Sequence, residues 1–287
     1  MTSTTAVRGN AHRLRRTGGR VVLYGAAYAI LAVIVIPVMF AILGGFRSTA
    51  QIAGDPVGLP NPWVFSNYLD TLDLPAFWRQ MLNSTVIALL TIALVLPAAS
   101  LAAFVIARYR FRGREGFYTL FTLGLLFPVA VAILPLFIVL RQLDLLNNPL
   151  GVSLVQAAFA LPLSIVILRP FLRSIPRDLE DAAAIDGCTS FRFYWSVILP
   201  LSRPALATVA ILTLVTSWNA FLLPLLVLFE PDQWTLPIGV NNISAQYTSD
   251  TARVLAYTTL SMIPALLFYF VAERQIVRGL TAGSLKG

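Results

Sequence analysis

The sequence is poor in the residues with which most enzymes work. Of 287 residues only 12% are charged, one is cysteine (Cys188), one is histidine (His12) and one is lysine (Lys286). A single cysteine excludes an intrachain disulfide framework, and with a single histidine it excludes a zinc site built from several His and Cys ligands. A Ser-His-Asp triad is excluded as well, because His12 sits in a polar, arginine-rich N-terminal stretch. Lys286 lies one residue from the end, so the phosphate-cradling pattern G-x-x-x-x-G-K-[ST] occurs nowhere in the chain. If ATP is used, another subunit must bind it. What the chain has is apolar: 57% of its residues are hydrophobic and its mean hydropathy is +0.78. Soluble domains carry about 25% charged residues. Half that fraction leaves too little polar surface to cover a water-exposed globule, so an all-α polytopic membrane protein is predicted.

Six stretches are long enough to cross a hydrocarbon core, which takes about 20 apolar residues. They run over residues 21–46, 81–107, 116–140, 150–168, 205–229 and 254–272, and none contains Asp, Glu, Lys or Arg. The first follows Arg8, Arg13, Arg15, Arg16 and Arg20, as a secretory signal would. Its apolar run is about twice the length of a signal core, so a retained helix is expected. Every stretch contains proline, which removes a ladder hydrogen bond and kinks a helix, as suits a bundle that opens a cavity. Lys and Arg near span ends stay on the cytoplasmic side. With the N-terminus inside, seventeen basic residues fall inside and four outside (Arg47, Arg79, Arg141 and Arg253). Both termini are therefore expected in the cytoplasm, with a basic tail over 1–20, a six-helix membrane-spanning bundle over 21–274 and a C-terminal tail over 275–287. The net charge of +8 then needs no nucleic-acid partner.

The external segment from Arg47 to Gln80 carries Pro56, Pro60, Pro62 and Pro75 among Trp63, Phe65, Tyr68, Phe77 and Trp78. It reads as irregular structure with an interfacial aromatic belt. The cytoplasmic loop over 169–204 is longer than a simple connection needs. Pro176 suits a first helical turn, Asp178, Glu180 and Asp181 complement the positive end of a helix dipole, and Gly187 suits a left-handed C-terminal position. Thr189 or Ser190 then caps a second helix through Phe191, Phe193, Trp195 and Val197 that stops before Pro200. Ala182, Ala183 and Ala184 leave one flank of the first helix almost bare. From the residues alone this is either an amphipathic connector lying on the bilayer or a close docking surface.

Asp181-Ala182-Ala183, three residues, Gly187, nine residues and Val197-Ile198-Leu199-Pro200 resemble the EAA motif (E-A-A-x3-G-x9-I-x-L-P) of the membrane-spanning subunits of bacterial ABC importers. Asp181 replaces the motif Glu and Val197 the motif Ile. Asn67-Tyr68, Asn83-Ser84, the run Ala107 to Gly113, the run Trp218 to Pro224 and the ending Arg278 to Gly287 resemble the sugar-importer branch, in its maltose-type, MalG-like half. The resemblance implies the type I importer fold in a bacterial inner membrane. It also implies a second permease chain, two ATPase subunits that bind the ATP, an extracytoplasmic sugar-binding protein, and no cofactor in this chain. Carried over, Glu180, Asp181, Ala182, Ala183, Asp186 and Gly187 would couple to the ATPase. Gly283, Ser284 and Lys286 of the tail would reach it too.

Candidate pathway groups are uncharged, as a sugar requires: Gln156 and Ser164, then Thr213, Thr216, Ser217 and Asn219, then Thr258, Thr259 and Ser261. Thr213, Thr216, Ser217 and Ala220 follow i, i+3, i+4, i+7 and share one helix face. Ser and Thr in membrane helices also bond their own i−4 carbonyl, which is the alternative for each. A secondary transporter is a competing reading, but ion-coupled carriers usually hold an ionisable group inside the membrane. An intramembrane enzyme lacks an embedded nucleophile or acid-base group. Within ABC importers a phosphodiester would favour basic pathway groups and a polyamine acidic ones, and the spans carry neither.

Overall fold

The computed structural model describes the backbone of residues 5–246 and 250–282, and the side chains of residues 23–246 and 250–270. Among the described residues there are helices and no strands. The chain divides into two compact units, Met1–Thr71 with Tyr247–Thr259, and Leu72–Gln246 with Leu260–Gly287.

In the first unit, α1 (Thr5–Gly45) is followed by α2 (Thr49–Gly54) and α3 (Ser66–Asp73). The segment expected to be irregular thus carries two short helices. Ser48 and Gln51 form a reciprocal cap that opens α2. The carbonyls at the end of α1 are satisfied by side chains, since Asn67 Nδ2 donates to Gly45 O at 3.0 Å and to Arg47 O at 2.9 Å, and Tyr68 Oη donates to Ile42 O at 2.7 Å. Phe46 packs on Trp63, Phe65 and Tyr68 with ring centroids 5.5, 5.4 and 4.3 Å away. The Asn-Tyr pair and the aromatic run therefore form a knot at the end of α1.

The second unit is built on α4 (Pro75–Arg108), which starts six residues before the expected span because Pro75 occupies its first turn. It packs along α7 (Pro149–Ser174). Ala99, Ala103 and Ala107 recur every four residues on α4 and are buried against Ile165, Leu168 and Leu172 of α7. Small side chains at that spacing let the two backbones approach, as membrane helices require in place of a hydrophobic driving force. Between them in sequence, α5 (Arg114–Gly124) and α6 (Val129–Gln142) meet at 98°, so the third expected span is a bent pair. Pro128 sits at the break, where it withholds a donor and restrains Phe127 from helical geometry.

After α7 come α8 (Asp178–Ile185), α9 (Ser190–Leu201) and α10 (Arg203–Trp218), the last two meeting at 75°. Then follow α11 (Leu222–Val227), α12 (Leu236–Gln246) and α13 (Thr251–Ala282), the last shared between the two units. The fifth expected span is interrupted at residues 219–221. Pro224 has no N–H for the Ala220 carbonyl, and the helix restarts with Leu225 N donating to Phe221 O at 2.9 Å. The helix after Gly187 does not stop before Pro200 as expected. Residues Tyr194–Ile198 widen into a π-turn that carries the chain past the proline to Leu201. By length and composition, four helices among the described residues can cross a membrane, or up to six if each bent pair is one span.

A candidate coupling surface and an uncharged cavity

The end of α8 is closed by two local hydrogen bonds. Cys188 N donates to Ala183 O at 2.8 Å and Gly187 N donates to Ala184 O at 3.1 Å, the paired bonds of a Schellman cap. Gly187 has φ +70°, where a side chain is strained, although a Cβ there would meet no atom within 4 Å. Thr189 Oγ1 then accepts from Arg192 N at 3.3 Å and opens α9. Pro176 lies two residues before α8 rather than in its first turn. The expected helix, glycine corner and helix are thus present.

Of the six expected coupling residues, Asp181, Ala182, Asp186 and Gly187 are exposed, while Ala183 is half-buried against Cys188 and the core. Glu180 faces inward, with Oε2 3.3 Å from Arg108 Nε at the end of α4. Ile185 and Phe191 are 86% and 69% exposed on either side of the corner, and Leu179 and Trp195 are exposed nearby. Bare alanines, two carboxylates and exposed apolar side chains on one short projection are what a protein partner covers. The tail residues Gly283, Ser284 and Lys286 lie outside the described residues.

Between α4, α6, α7 and α10 lies a cavity of about 520 Å³. Its walls are apolar apart from Thr91, Gln156, Ser164, Thr213, Thr216 and Ser217, and no lining residue is charged. Three of the polar groups converge. Ser217 Oγ donates to Gln156 Oε1 at 2.5 Å, and Thr91 Oγ1 lies 3.1 Å from the same oxygen and 2.8 Å from Ile87 O. Gln156 Nε2 is buried with no hydrogen-bond partner among the described residues. A donor held in this way is available to an acceptor that enters the cavity.

The structure therefore brings together Gln156, Ser164, Thr213, Thr216 and Ser217, all expected from the sequence. Ala220 also lines the cavity, although it lies beyond the end of α10 rather than on the helix face it was assigned. Ser164 and Thr216 do bond their own helix, at 2.8 Å to Ala160 O and to Leu212 O respectively. Asn219 does not reach the cavity wall; it is exposed and its Nδ2 caps Val215 O at 2.9 Å. Thr258 and Thr259 belong to the first unit, where their hydroxyls donate to Val254 O and Leu255 O at 2.8 Å. Ser261 is buried in the second unit, its carbonyl accepting from Trp218 Nε1 at 3.4 Å. Thr91 was not foreseen: a lone threonine in a long apolar run carries no periodic signal.

Buried arginines were missed as well. Arg108 and Arg169 are 6% and 5% exposed, although sequence counting treats them as loop charges. Arg169 Nη2 donates to both Glu115 oxygens, at 2.5 and 2.6 Å, and its guanidinium stacks 3.8 Å over the Tyr118 ring. Among the described residues, no group of three or more His, Cys, Asp or Glu side chains is placed to hold a metal.

A helical bundle of membrane-spanning length, with an uncharged cavity among its helices, is the architecture of a membrane transport component. The chain belongs to the family of binding-protein-dependent transport system inner membrane components, whose family model matches residues 95–278. It is 34% identical over 256 residues to a diacetylchitobiose uptake system permease protein of Streptomyces coelicolor, covering 88% of this chain and 85% of that protein. It is 32% identical to an arabinooligosaccharides transport system permease protein of Halalkalibacterium halodurans, covering 91% of this chain and 94% of the other. In structure it is similar to a chain of a bacterial ABC transporter involved in the import of the acidic polysaccharide alginate. The TM-score is 0.79 at 23% identity, over 91% of this chain and 97% of that one. The protein is thus a transport subunit, with the type I importer permease fold, and not an enzyme.

Proposed function

We propose that the chain forms half of the translocation pathway of an ATP-driven importer for neutral oligosaccharides in a bacterial inner membrane. A second permease chain supplies the other half, an extracytoplasmic sugar-binding protein delivers the cargo, and two ATPase subunits drive the cycle from the cytoplasmic side. The ATPase docks on α8 and its corner, through Asp181, Ala182, Asp186 and Gly187, with Ala183 packing behind them. The tail residues Gly283, Ser284 and Lys286 add a second ATPase contact, on the strength of the family resemblance.

The observation that carries the substrate class is the lining of the cavity, where a buried amide and hydroxyls stand among apolar walls with no charge. Sites of this kind recognise ligands by a few placed hydrogen bonds over apolar surface, and a volume of about 300–1,000 Å³ suits small ligands. A phosphodiester or a polyamine would be desolvated there with no counter-charge. The same reasoning separates this chain from its structural neighbour, whose cargo is acidic. The named cargoes of its sequence relatives, diacetylchitobiose and arabinooligosaccharides, are the first probes to use.

Tagged full-length chain should co-purify with a second permease and two ATPase subunits. Liposomes holding that complex should accumulate a neutral di- or trisaccharide only with ATP inside and binding protein outside. Preferential uptake of an alginate oligomer or a polyamine would refute the substrate class, and ATP hydrolysis by the isolated chain would refute the subunit assignment.

A further inference from the structure

We propose that Arg108 is a positioning residue that makes α8 move as one body with α4, and that the adjacent acids Glu180 and Asp181 have separate roles. This rests on reading α8 as the ATPase dock. Arg108 is the last residue of α4, and its side chain is 2% exposed. Nη1 donates to Ile175 O at 2.8 Å and Nη2 donates to Pro176 O at 3.3 Å, both in the connection between α7 and α8. Nε lies 3.3 Å from Glu180 Oε2 without hydrogen-bond alignment, so that contact is electrostatic. One guanidinium fork thus holds the backbone entering α8 and a carboxylate in its first turn, a geometry that a lysine cannot reproduce.

Parting these groups would strand a buried charge without a partner, so the contact persists while the loop moves. Force applied to α8 is then delivered to α4, whose Thr91 borders the cavity. Glu180 is spent inside the chain on this strut. The Asp181 carboxylate, one residue on and exposed, has no hydrogen bond or ion pair among the described residues and is free to face the ATPase. The two acids are equivalent in sequence and divided by structure.

The test uses the complex recovered with full-length chain, in a Cys188→Ser background, with spin labels at Leu179→Cys on α8 and Val105→Cys on α4. With Arg108 present, the distance between the labels should be the same in the nucleotide-free and the ATP-vanadate trapped states. Arg108→Gln should broaden it and make it differ between states. Glu180→Gln should retain the ATPase and hydrolyse ATP normally, while uptake per ATP falls about tenfold, the scale of one lost charge-assisted contact. The double variant should be no worse than Arg108→Gln alone. Asp181→Asn should instead release the ATPase or abolish its stimulation. A distance that changes with nucleotide while Arg108 is intact overturns the strut. So does loss of the ATPase in Glu180→Gln, a variant at a partly exposed site that does not threaten folding. Failure of the unsubstituted chain to bind any ATPase would instead defeat the importer reading.

Discussion

Gly187 holds the corner between α8 and α9 at φ +70° with open space around it, so any effect of a side chain there is conformational rather than steric. Gly187→Val should cost roughly 1–3 kcal/mol at the corner or swing α9 away. Membrane insertion should survive, and uptake should fall steeply with loss of the ATPase or of its response to loaded binding protein. Gly116→Val is the control, because a Cβ on Gly116 would likewise meet no atom within 4 Å and the position needs no positive φ. Equal, mild effects at both positions would remove the coupling role from the corner. In the cavity, Gln156→Met nearly keeps the side-chain length and removes both the donor that the fold leaves unpaired and the oxygen that accepts from Ser217 Oγ. Thermal stability in detergent should therefore fall by about 1–3 kcal/mol, the cost of leaving the Ser217 hydroxyl without its acceptor, while uptake should drop about tenfold if the amide meets the sugar. Unchanged uptake would take Gln156 out of the pathway. Gly187 and Thr189 were legible in the sequence because caps are local chemistry. The meeting of Gln156 with Ser217 was not, because it joins residues 61 apart, and Thr91 comes from a third helix.

At the scale of the element, apolar length marked every span, but chain breaks decided their shape. Pro128 and Pro224 were read as kinks, and the structure opens a full break near each. Pro97 and Pro162, by contrast, sit inside continuous helices. Proline alone states that a hydrogen bond is missing; whether the neighbours hold the helix together is settled by packing. The start of α7 shows packing at its tightest. A Cβ on Gly151 would stand 2.2 Å from Leu145 O, an impossible approach to a backbone atom. Gly151→Ala should therefore displace the turn before α7 and destabilise the bundle by about 1–3 kcal/mol, measured as a lower unfolding temperature in detergent beside a normal Gly116→Ala. An unaltered unfolding temperature would mean that this turn yields freely. Asn83 explains another sequence signal in the same physical terms. Its Nδ2 donates to Asp232 O at 2.8 Å and to Trp234 O at 3.0 Å, tying the start of α4 to the turn before α12.

For the whole molecule, the distribution of basic residues sets the orientation to be tested. Native Cys188, half-buried beside the corner, should resist a membrane-impermeant thiol reagent in intact cells and react once the membrane is opened. In a Cys188→Ser background, Gln246→Cys, at an exposed position, should react from outside. Labelling of Cys188 in intact cells would invert the topology and rule out the proposed ATPase dock at α8.

The sequence by itself determined the class of molecule: its shortage of charge requires a membrane, its apolar lengths require spanning helices, and without a phosphate loop any ATP used must be bound on another subunit. It also determined the glycine corner, since a left-handed cap depends on a few adjacent residues. Only the tertiary structure decided which polar groups converge. Gln156, Ser217 and Thr91 share a cavity because α4, α7 and α10 pack together, and Asn219 is excluded because its exposed side chain turns back to cap Val215 O. Likewise Glu180 and Asp181 differ only because Arg108 reaches one of them across 72 residues of chain. Local patterns follow from the chemistry of neighbours in sequence, whereas a pairing between distant residues depends on helix packing that no periodicity encodes.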